Sequence, residues 1–432
     1  MAWKTDNYHG WGRALKATGE IARPERRSAL VALPDVPAMG QRRSYGDACL
    51  NDGGQIADMS RLDRVLEFDP KTGLLHAEAG VTLGDLVRLF GPRGWLPPVV
   101  PGTGFATVGG AIAMDIHGKN HHEAGSFGQH VTEIEVMHGG KTKKLKPSHN
   151  AFKATVGGLG QTGTIVTAKL QMVPIHGEAM VVNERRMEGW DEFIAEFSNS
   201  EAPYSVGWID ATAKGTNLGR GIFEEAEIGT GATKSAKKSK SVPLDAPGFA
   251  LAPPVVRAFN AAYFRRVPAT GRRVVRTFED FFFPLDRIHD WNKLYGKRGF
   301  HQFQCVVPLD QAPALRDMLV AIAESGLASP LAVLKRMGPG SAGMMSFPME
   351  GWTLAVDFPA RAKAEQLIKT LEDRTVEAGG RIYLAKDALS RPENVHAMYS
   401  NRAKWATEAA KADPEGAHIT DLVRRLKLRD AS

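Results

Sequence analysis

Two different spacings of hydrophobic residues occur in the first half of the chain. After Thr82, apolar residues return at helical intervals as far as Phe90, so a strand over residues 74–81 should run into a helix capped by Thr82. Residues 130–138 alternate apolar and polar positions and are followed by Gly139-Gly140, which predicts a hairpin. Short strands with few helices indicate an α+β fold, and no internal repeat is evident.

A regular order of elements begins at residue 300. Apolar runs predict strands, and two stretches with helical spacing lie between them. The predicted strands are 300–308, 331–338, 351–359 and 381–386, and the predicted helices are 312–326 and 361–380. Their order is the split βαβ pattern of a sheet with helices on one face, so the other face is left free.

Polar side chains interrupt the apolar pattern of all four strands. Gln302 and Gln304 share one side of the first strand, and Lys335, Thr353 and Lys386 occur on the others. For any one of these residues taken alone, exposure to solvent is as good an explanation as a place in a pocket. Four strands with the same feature indicate the wall of a pocket.

Three glycine-rich segments indicate the chemistry of a ligand. They cover residues 40–54, 101–128 and 155–163. Glycine leaves the backbone bare, so main-chain amides can approach a large anion such as a pyrophosphate. Three such segments at separate positions predict a ligand that is long enough to be held at several points.

Composition agrees with an enzyme that binds an anion. The 432 residues are 43% hydrophobic and carry a net charge of +7, which favours anionic partners. Cys49 and Cys305 lie far apart, so we expect neither a disulfide framework nor a cysteine metal site. The start of the sequence lacks the apolar core of a secretion signal, and no apolar stretch approaches the roughly 20 residues that cross a bilayer. We therefore expect a cytoplasmic protein.

Residues 228–253 are small, polar and basic, with Lys234, Lys237, Lys238 and Lys240 close together. A mobile, solvated surface loop is the favoured interpretation. The alternative is a basic lid, or a patch that faces anionic lipid and gives peripheral contact with a membrane. Residues 249–266 mix apolar and basic residues and are compatible with either a core helix or a surface-seeking one.

Several motifs carry a resemblance to a known family. They are RRSYGD, VPGTGFATVGGAIAMDIHGKNHHEAGSFGQHV, TVGGLGQTG, FFFPLD, WNKLYGKRGFHQFQ, GWTLAVDFP and IYLAKD. Together they resemble flavoprotein oxidoreductases of the vanillyl-alcohol oxidase superfamily over nearly the whole chain. The resemblance implies a two-part FAD-binding domain, residues 1–178 and 381–432. Between these parts it implies a substrate-binding domain, residues 179–380, built on an antiparallel sheet with helices on one face.

The resemblance also assigns roles to residues. Those that match FAD-binding positions are Gly40, Arg43, Ser44, Tyr45, Gly46, Pro101, Gly102, Thr103, Thr107, Gly109, Gly110, Met114, His117, Gly118, Ile165 and Tyr383. The catalytic candidates beside the reactive ring are Lys386, His117 and Tyr45. The substrate-binding candidates are Gln302, Gln304, Lys335, Phe282 and Thr353.

The activity implied by the resemblance is oxidation of a secondary hydroxyl of a sugar to a ketone. A polyprenyl-phosphoryl pentose is the expected substrate, in the oxidase half of an epimerase of cell wall biosynthesis that works with a separate NAD(P)-dependent keto-sugar reductase. The alternative is a soluble alditol or aldonolactone oxidase. Hydride loss from carbon requires proton loss from oxygen, so Lys386 would act as a base or as a charged stabiliser. Lys335 would pair with the phosphate.

Two other functions are weaker interpretations. The cluster His117, His121 and His122 contains zinc ligands, but Gly118 interrupts helical presentation and no cysteine or well-spaced acidic residue completes a site. We therefore predict no metal. The basic residues match no nucleic-acid-binding motif, so no nucleic acid partner is expected.

The sequence departs from the family pattern at several positions. Arg42 stands where relatives have a glycine, at a cost of about 1 kcal/mol or more if the position has a positive φ. The segment before it is too short for the full helix of relatives. Phe282 replaces a tyrosine, and Thr353 and Ala355 replace asparagine and cysteine, so the substrate could differ from that of relatives.

We predict that FAD is bound without a covalent bond. Many members of the superfamily attach FAD through a histidine in the first glycine-rich segment, and Arg43 occupies that position here. Acid precipitation of the purified protein should therefore release all yellow colour into the supernatant. Colour that stays in the washed pellet would contradict this prediction.

Overall fold

The computed structural model describes residues 3–231, 233 and 239–430. The strands are β1 (Lys4–His9), β2 (Lys16–Ala22), β3 (Ala38–Met39), β4 (Gln55–Asp58), β5 (Val65–Asp69), β6 (Leu74–Glu78), β7 (Trp95–Leu96), β8 (Val131–His138), β9 (Lys141–Leu145), β10 (Thr164–Gln171), β11 (Val173–Pro174), β12 (Ala179–Met187), β13 (Tyr204–Ile209), β14 (Gly221–Gly229), β15 (Lys240–Ser241), β16 (Arg272–Arg276), β17 (Ile288–His289), β18 (Phe300–Val307), β19 (Ala332–Met337), β20 (Gly351–Pro359) and β21 (Arg381–Ile382).

The α-helices are α1 (Arg27–Val31), α2 (Leu83–Phe90), α3 (Val108–Ala113), α4 (His121–Ala124), α5 (Asn150–Thr155), α6 (Trp190–Asn199), α7 (Pro253–Arg265), α8 (Phe278–Phe282), α9 (Ala312–Ser325), α10 (Ala362–Glu377), α11 (Pro392–Met398), α12 (Arg402–Ala412) and α13 (Asp421–Arg425). Single-turn 3₁₀ helices cover Met59–Arg61, Gly91–Arg93, Phe127–His130, Gly215–Asn217, Gly248–Leu251, Trp291–Tyr295 and Leu309–Gln311.

Two small sheets form the first part of the molecule. One has the strand order β1-β2-β4-β3 and the other the order β5-β6-β10-β8-β9. Both local predictions are confirmed here. Strand β6 runs into α2, where the Thr82 hydroxyl accepts the Asp85 backbone N–H, and β8 and β9 pair across Gly139-Gly140.

A single eight-stranded sheet organises the rest, in the order β16-β12-β14-β13-β19-β20-β18-β21. The predicted chain order β18-α9-β19-β20-α10-β21 is confirmed. In the sheet, β20 pairs antiparallel with both β18 and β19, and β21 pairs antiparallel with β18. The register opposes Gln302 to Asp357, Gln304 to Ala355 and Lys335 to Thr353. Directly opposed residues share a face, so Gln302, Gln304, Lys335, Thr353 and Asp357 lie on one face of the sheet and form its polar strip.

The other face of this sheet carries the main hydrophobic core. Helices α6, α9 and α10 pack there against buried residues such as Phe303 and Leu354. Gly207 of β13 is required for this packing, because a Cβ at that position would lie 2.5 Å from the Phe193 ring. Helix α7 departs from the prediction of helices on one face, since Phe264 packs on Ile222, on the side opposite α6.

The predicted strand over residues 381–386 was wrong beyond Ile382. From Tyr383 the chain turns, with the Lys386 N–H donated to the Tyr383 carbonyl at 2.8 Å. The reason is a competing partner, because the Ala385 carbonyl accepts the N–H of Tyr45 at 2.8 Å. Lys386 therefore lies in a turn that joins the large sheet to the first glycine-rich segment.

The region around residue 240 is partly described. Lys234, Lys237 and Lys238 lie outside the described residues, whereas Lys240 belongs to β15, which pairs with β17. The prediction of a mobile loop over residues 228–253 is therefore wrong at β15, where the chain pairs with another strand. Helix α7 follows, with Phe264 buried and Phe259 half exposed. It therefore combines the two predicted alternatives, a core helix and a surface helix.

Other sequence expectations have simple outcomes. Cys49 and Cys305 are buried and free. Helix α1 has only five residues, as the short segment before Arg42 predicted. Among the described helices, none has the length and apolar character that crossing a membrane requires.

Arg42 has φ +53°, a conformation that favours glycine. We predict that Arg42→Gly stabilises the flavin-free protein by about 1 kcal/mol relative to Arg42→Ala, because both variants lose the side chain and only alanine retains the strain. Urea denaturation measures the difference. Equal free energies of unfolding for the two variants would contradict this account.

Candidate active site

A cavity of about 1280 Å³ lies between the glycine-rich segments and the polar strip of the large sheet. Many of the predicted residues line it. Those from the FAD set are Gly40, Arg43, Ser44, Tyr45, Pro101, Gly102, Thr103, Thr107, Gly110, Met114, His117, Gly118 and Tyr383. Gln302, Gln304, Lys335 and Lys386 line the same cavity, so the structure brings both sets together.

Five predicted residues lie outside the lining. Ile165 belongs to the core of a small sheet, and Phe282 packs in the core beside Tyr204. Thr353 lies behind Gln304, whose Nε2 donates to the Thr353 hydroxyl at 3.3 Å. Gly46 packs against the backbone of Asp387, and a Cβ at Gly46 would lie 1.8 Å from the Asp387 carbonyl oxygen. Gly109 packs against Ala79, and a Cβ at Gly109 would lie 2.9 Å from the Ala79 Cβ. These positions shape the cavity without facing it.

The glycine-rich segments fit closely against each other. A Cβ at Gly40 would lie 2.4 Å from the Thr107 hydroxyl, which caps α3 by accepting the Gly110 N–H. By contrast, a Cβ at Gly102 or Gly160 would meet nothing within 4 Å. Bare backbone therefore faces the cavity from two segments, a surface that suits a dinucleotide.

Arg43 is held between two aromatic rings. Its guanidinium lies 4.1 Å from the centre of the Trp11 ring and 4.3 Å from that of Phe105. Burial lowers the pKa of Arg43, and nearby Asp286 opposes this shift. Asp286 also accepts the Thr103 hydroxyl at 2.9 Å and the Gly104 N–H at 2.6 Å, so it fixes the second glycine-rich segment.

Lys386 projects into the cavity over an aromatic ring. Its Nζ lies 3.4 Å from the centre of the Tyr45 ring. Burial lowers the pKa of Lys386 to about 7, and the charge of Lys335 contributes to this lowering. The Asp357 carboxylate acts in the opposite direction and raises the pKa of Lys386. Burial therefore favours the form of Lys386 that carries no proton on Nζ, and this form can accept one.

Asp357 is a site residue that the sequence analysis missed. It is fully buried in β20, where Gln302 Nε2 and the Tyr295 hydroxyl donate to its carboxylate, the latter at 3.1 Å. Burial raises its pKa to about 7. Strand alternation could have identified it, because Asp357 is in phase with Thr353 and Ala355.

One arginine positions both chain segments at Lys386. The Arg425 guanidinium donates to Asp47 at 2.7 and 2.9 Å and to Asp387 at 2.8 Å. These two carboxylates lie next to Gly46 and Lys386 in sequence, so Arg425 of α13 connects the Tyr45 turn to the Lys386 turn. Bidentate ion pairs of this kind are geometrically specific.

His117 is buried and neutral. Burial lowers its pKa well below the ordinary value, and nearby Lys335 adds to the effect. Gln304 Nε2 lies 3.2 Å from His117 Nε2 and donates to it, so the proton of the imidazole is on Nδ1. This Nδ1 has no partner among the described residues, which leaves a donor for a ligand.

Lys119 and Lys335 add two more buried amino groups to the lining. Burial lowers the pKa of Lys335 to about 7 and that of Lys119 to about 8. Lys119 Nζ also donates to the Phe281 carbonyl and lies 3.9 Å from the centre of that ring. Lys119 was missed from the sequence, although it follows His117-Gly118 in the glycine-rich run.

The residues present fit a flavin dinucleotide together with an anionic substrate. Bare backbone, the Arg43 guanidinium and the free His117 Nδ1 face one cavity with the three lysines Lys119, Lys335 and Lys386. His121 also has both ring nitrogens buried without a partner among the described residues. The site therefore suits an enzyme that uses a dinucleotide cofactor.

Comparison with known proteins agrees with this class. The FAD binding domain family matches residues 34–146. Decaprenylphosphoryl-beta-D-ribose oxidase of Mycolicibacterium smegmatis is 37% identical, over 98% of both chains. An uncharacterised protein of Streptomyces coelicolor is 32% identical over 81% of this chain and 100% of its own. A putative D-arabinono-1,4-lactone oxidase of Neurospora crassa is 23% identical over 54% of this chain and 44% of its own.

The chain belongs to the FAD-binding oxidoreductase family of the vanillyl-alcohol oxidase type. It is an FAD-dependent oxidoreductase, and the predictions of the superfamily, of an enzyme and of FAD as the cofactor are confirmed.

Proposed function

We propose that the protein oxidises a secondary hydroxyl of a polyprenyl-phosphoryl pentose to the ketone. The observation that carries the proposal is the pair of buried lysines Lys119 and Lys335 in the cavity lining beside Lys386, since neither has an ion-pair partner among the described carboxylates. A phosphate would supply the missing negative charge. The oxidase of Mycolicibacterium smegmatis, named for a phosphoryl-linked ribose, supports the same substrate class.

Each residue has a role in this proposal. When bound, FAD supplies the acceptor for the hydride that leaves the carbinol carbon. Neutral Lys386 accepts the hydroxyl proton on Nζ, so the alcohol loses both hydrogens and becomes a ketone. His117 Nδ1 donates to the sugar and orients it, and Lys335 binds the phosphate. Tyr45 shields Lys386 Nζ from water with its ring.

The domain organisation that we propose follows the resemblance. Seven of the eight strands of the large sheet come from residues 179–359, which fits an inserted substrate-binding domain, and the eighth is the edge strand β21. After β21 the chain returns to the first part, where Trp405 Nε1 donates to the Ala154 carbonyl at 3.1 Å. FAD would thus bind to residues 1–178 and 381–432, with substrate presented by residues 179–380.

We also propose a peripheral contact with the inner face of the plasma membrane. Leu244 and Phe249 are 78% and 72% exposed, and Phe259 of α7 is 51% exposed. The nearby strand β15 pairs with β17, whose residues line the cavity. Exposed apolar side chains in the segment that contains β15 and α7 would admit a lipid-linked substrate. Completion of an epimerisation would require a separate NAD(P)-dependent reductase for the ketone.

The choice of substrate has a direct test. Anaerobic mixing with a polyprenyl-phosphoryl pentose should bleach the bound flavin, whereas a free alditol or aldonolactone should leave it oxidised. Lys386→Ala should retain the flavin spectrum and slow bleaching about 100-fold or more, because the proton acceptor is lost. Lys363→Ala, an exposed lysine of α10, is the matched control. Bleaching by the free polyol or lactone alone, or full turnover by Lys386→Ala, would contradict the proposal.

The pH dependence separates the two roles open to Lys386. As a base, Lys386 acts without its proton, so the rate of flavin reduction should rise as pH increases through about 7 and then level. A charged stabiliser would give the opposite slope. Asp357 raises the pKa of Lys386, so Asp357→Asn should move the midpoint to lower pH.

Tyr295→Phe is the control for this shift, because it removes a hydrogen bond to the same carboxyl group and leaves that group in place. It should move the midpoint less than Asp357→Asn does. A rate that falls with pH, or a midpoint that Asp357→Asn moves upward, would exclude neutral Lys386 as the base.

A further inference from the structure

A second cluster of chemically active side chains lies outside the cavity. Asp35, His138 and His418 place one ligand atom each within 4.8 Å of the others. Asp35 precedes β3, His138 ends β8 before the Gly139-Gly140 turn, and His418 lies between α12 and α13. None of these residues lines the cavity, so the cluster is separate from the oxidoreductase site.

The distances in this cluster fit a metal ion better than direct hydrogen bonds. His138 Nδ1 lies 3.4 Å from both Asp35 Oδ2 and His418 Nε2. Good N–H···O bonds are about 2.9–3.0 Å long. With bonds of about 2.0–2.1 Å to zinc, ligand atoms at the corners of a tetrahedron are about 3.3 Å apart. The two separations therefore match ligands around one ion.

The tautomer of His418 is fixed in the form that a metal requires. Its Nδ1 lies 2.9 Å from the Val36 carbonyl, which can only accept, so Nδ1 carries the proton and the Nε2 lone pair faces the cluster. A backbone carbonyl on the second ring nitrogen is the usual arrangement for a metal-binding histidine. The Asp35 carboxylate is oriented in the same way, by the Gly139 N–H at 2.7 and 3.0 Å.

The surrounding structure holds the three ligands and admits an ion. Val36 and Met137, the chain neighbours of Asp35 and His138, are buried in one hydrophobic cluster. His418 is buried, whereas the Asp35 and His138 side chains are 19% and 34% exposed. Solvent can therefore reach the fourth position of a tetrahedral site.

We propose that Asp35, His138 and His418 bind a zinc ion that links three distant segments of the chain. Two imidazoles and one carboxylate form a ligand set that zinc favours, with water in the fourth position. The ion would cross-link the fold, because it would join the segment before β3, the β8–β9 hairpin and the C-terminal region. Gln161 Nε2 donates to the His418 carbonyl at 2.7 Å. Because Gln161 belongs to the third glycine-rich segment, the ion would also stiffen that segment.

Zinc titration of the FAD-loaded, tag-free, full-length protein tests the proposal after treatment with EDTA. Calorimetry should show one zinc ion per chain, and zinc should raise the melting temperature. Asp35→Asn and His138→Ala change partly exposed residues and should each weaken binding at least tenfold. His176→Ala, an exposed histidine outside the cluster, should bind as the parent does.

Cobalt gives an independent measurement of geometry. Co²⁺ in the parent should show the visible absorption of a four-coordinate ion, and both ligand variants should lose it. Absence of saturable zinc binding to the parent would overturn the proposal. Binding that survives both substitutions would also overturn it, since the ion would then occupy another part of the chain.

Discussion

Contact between Lys386 and the Tyr45 ring is the interaction on which the rest of this site depends. It requires two distant turns to meet, and three features bring them together. The Tyr45 N–H binds the Ala385 carbonyl, Gly46 allows close approach to Asp387, and Arg425 holds the carboxylates on both sides. Burial at this junction removes water from Lys386 Nζ, and this lowers its pKa toward neutrality.

The large sheet separates stability from chemistry by its two faces. One face is covered by helices and carries Phe303 and Leu354 in the core. Across strands β18, β19 and β20, the opposite face carries Gln304 and Lys335 at the cavity, together with Asp357, which accepts a hydrogen bond from Gln302. Strand alternation makes this separation possible, because neighbouring residues point to opposite sides. Buried polar groups are costly when unpaired, so a ligand that pairs them would be bound strongly.

The sequence predicted the helices and strands better than the tertiary contacts between them. Periodicity located α2, the β8–β9 hairpin and the β-α-β-β-α-β order, since these patterns are local. It failed at residues 383–386, where a tertiary hydrogen bond to Tyr45 overrides strand pairing. The cavity residues came largely from the resemblance, while Asp357 was in phase and overlooked. The Asp35, His138 and His418 cluster had no local signal, because its members are far apart in sequence.

A measurement of the Lys386 pKa decides whether this lysine is the base. Lysine labelled with ¹³C at the ε position can be titrated by NMR in the FAD-loaded protein, and loss of one signal in Lys386→Arg assigns the resonance. We expect a midpoint near pH 7 for this lysine. A Lys386 signal that titrates at about 10.4, the ordinary value for lysine, would contradict it.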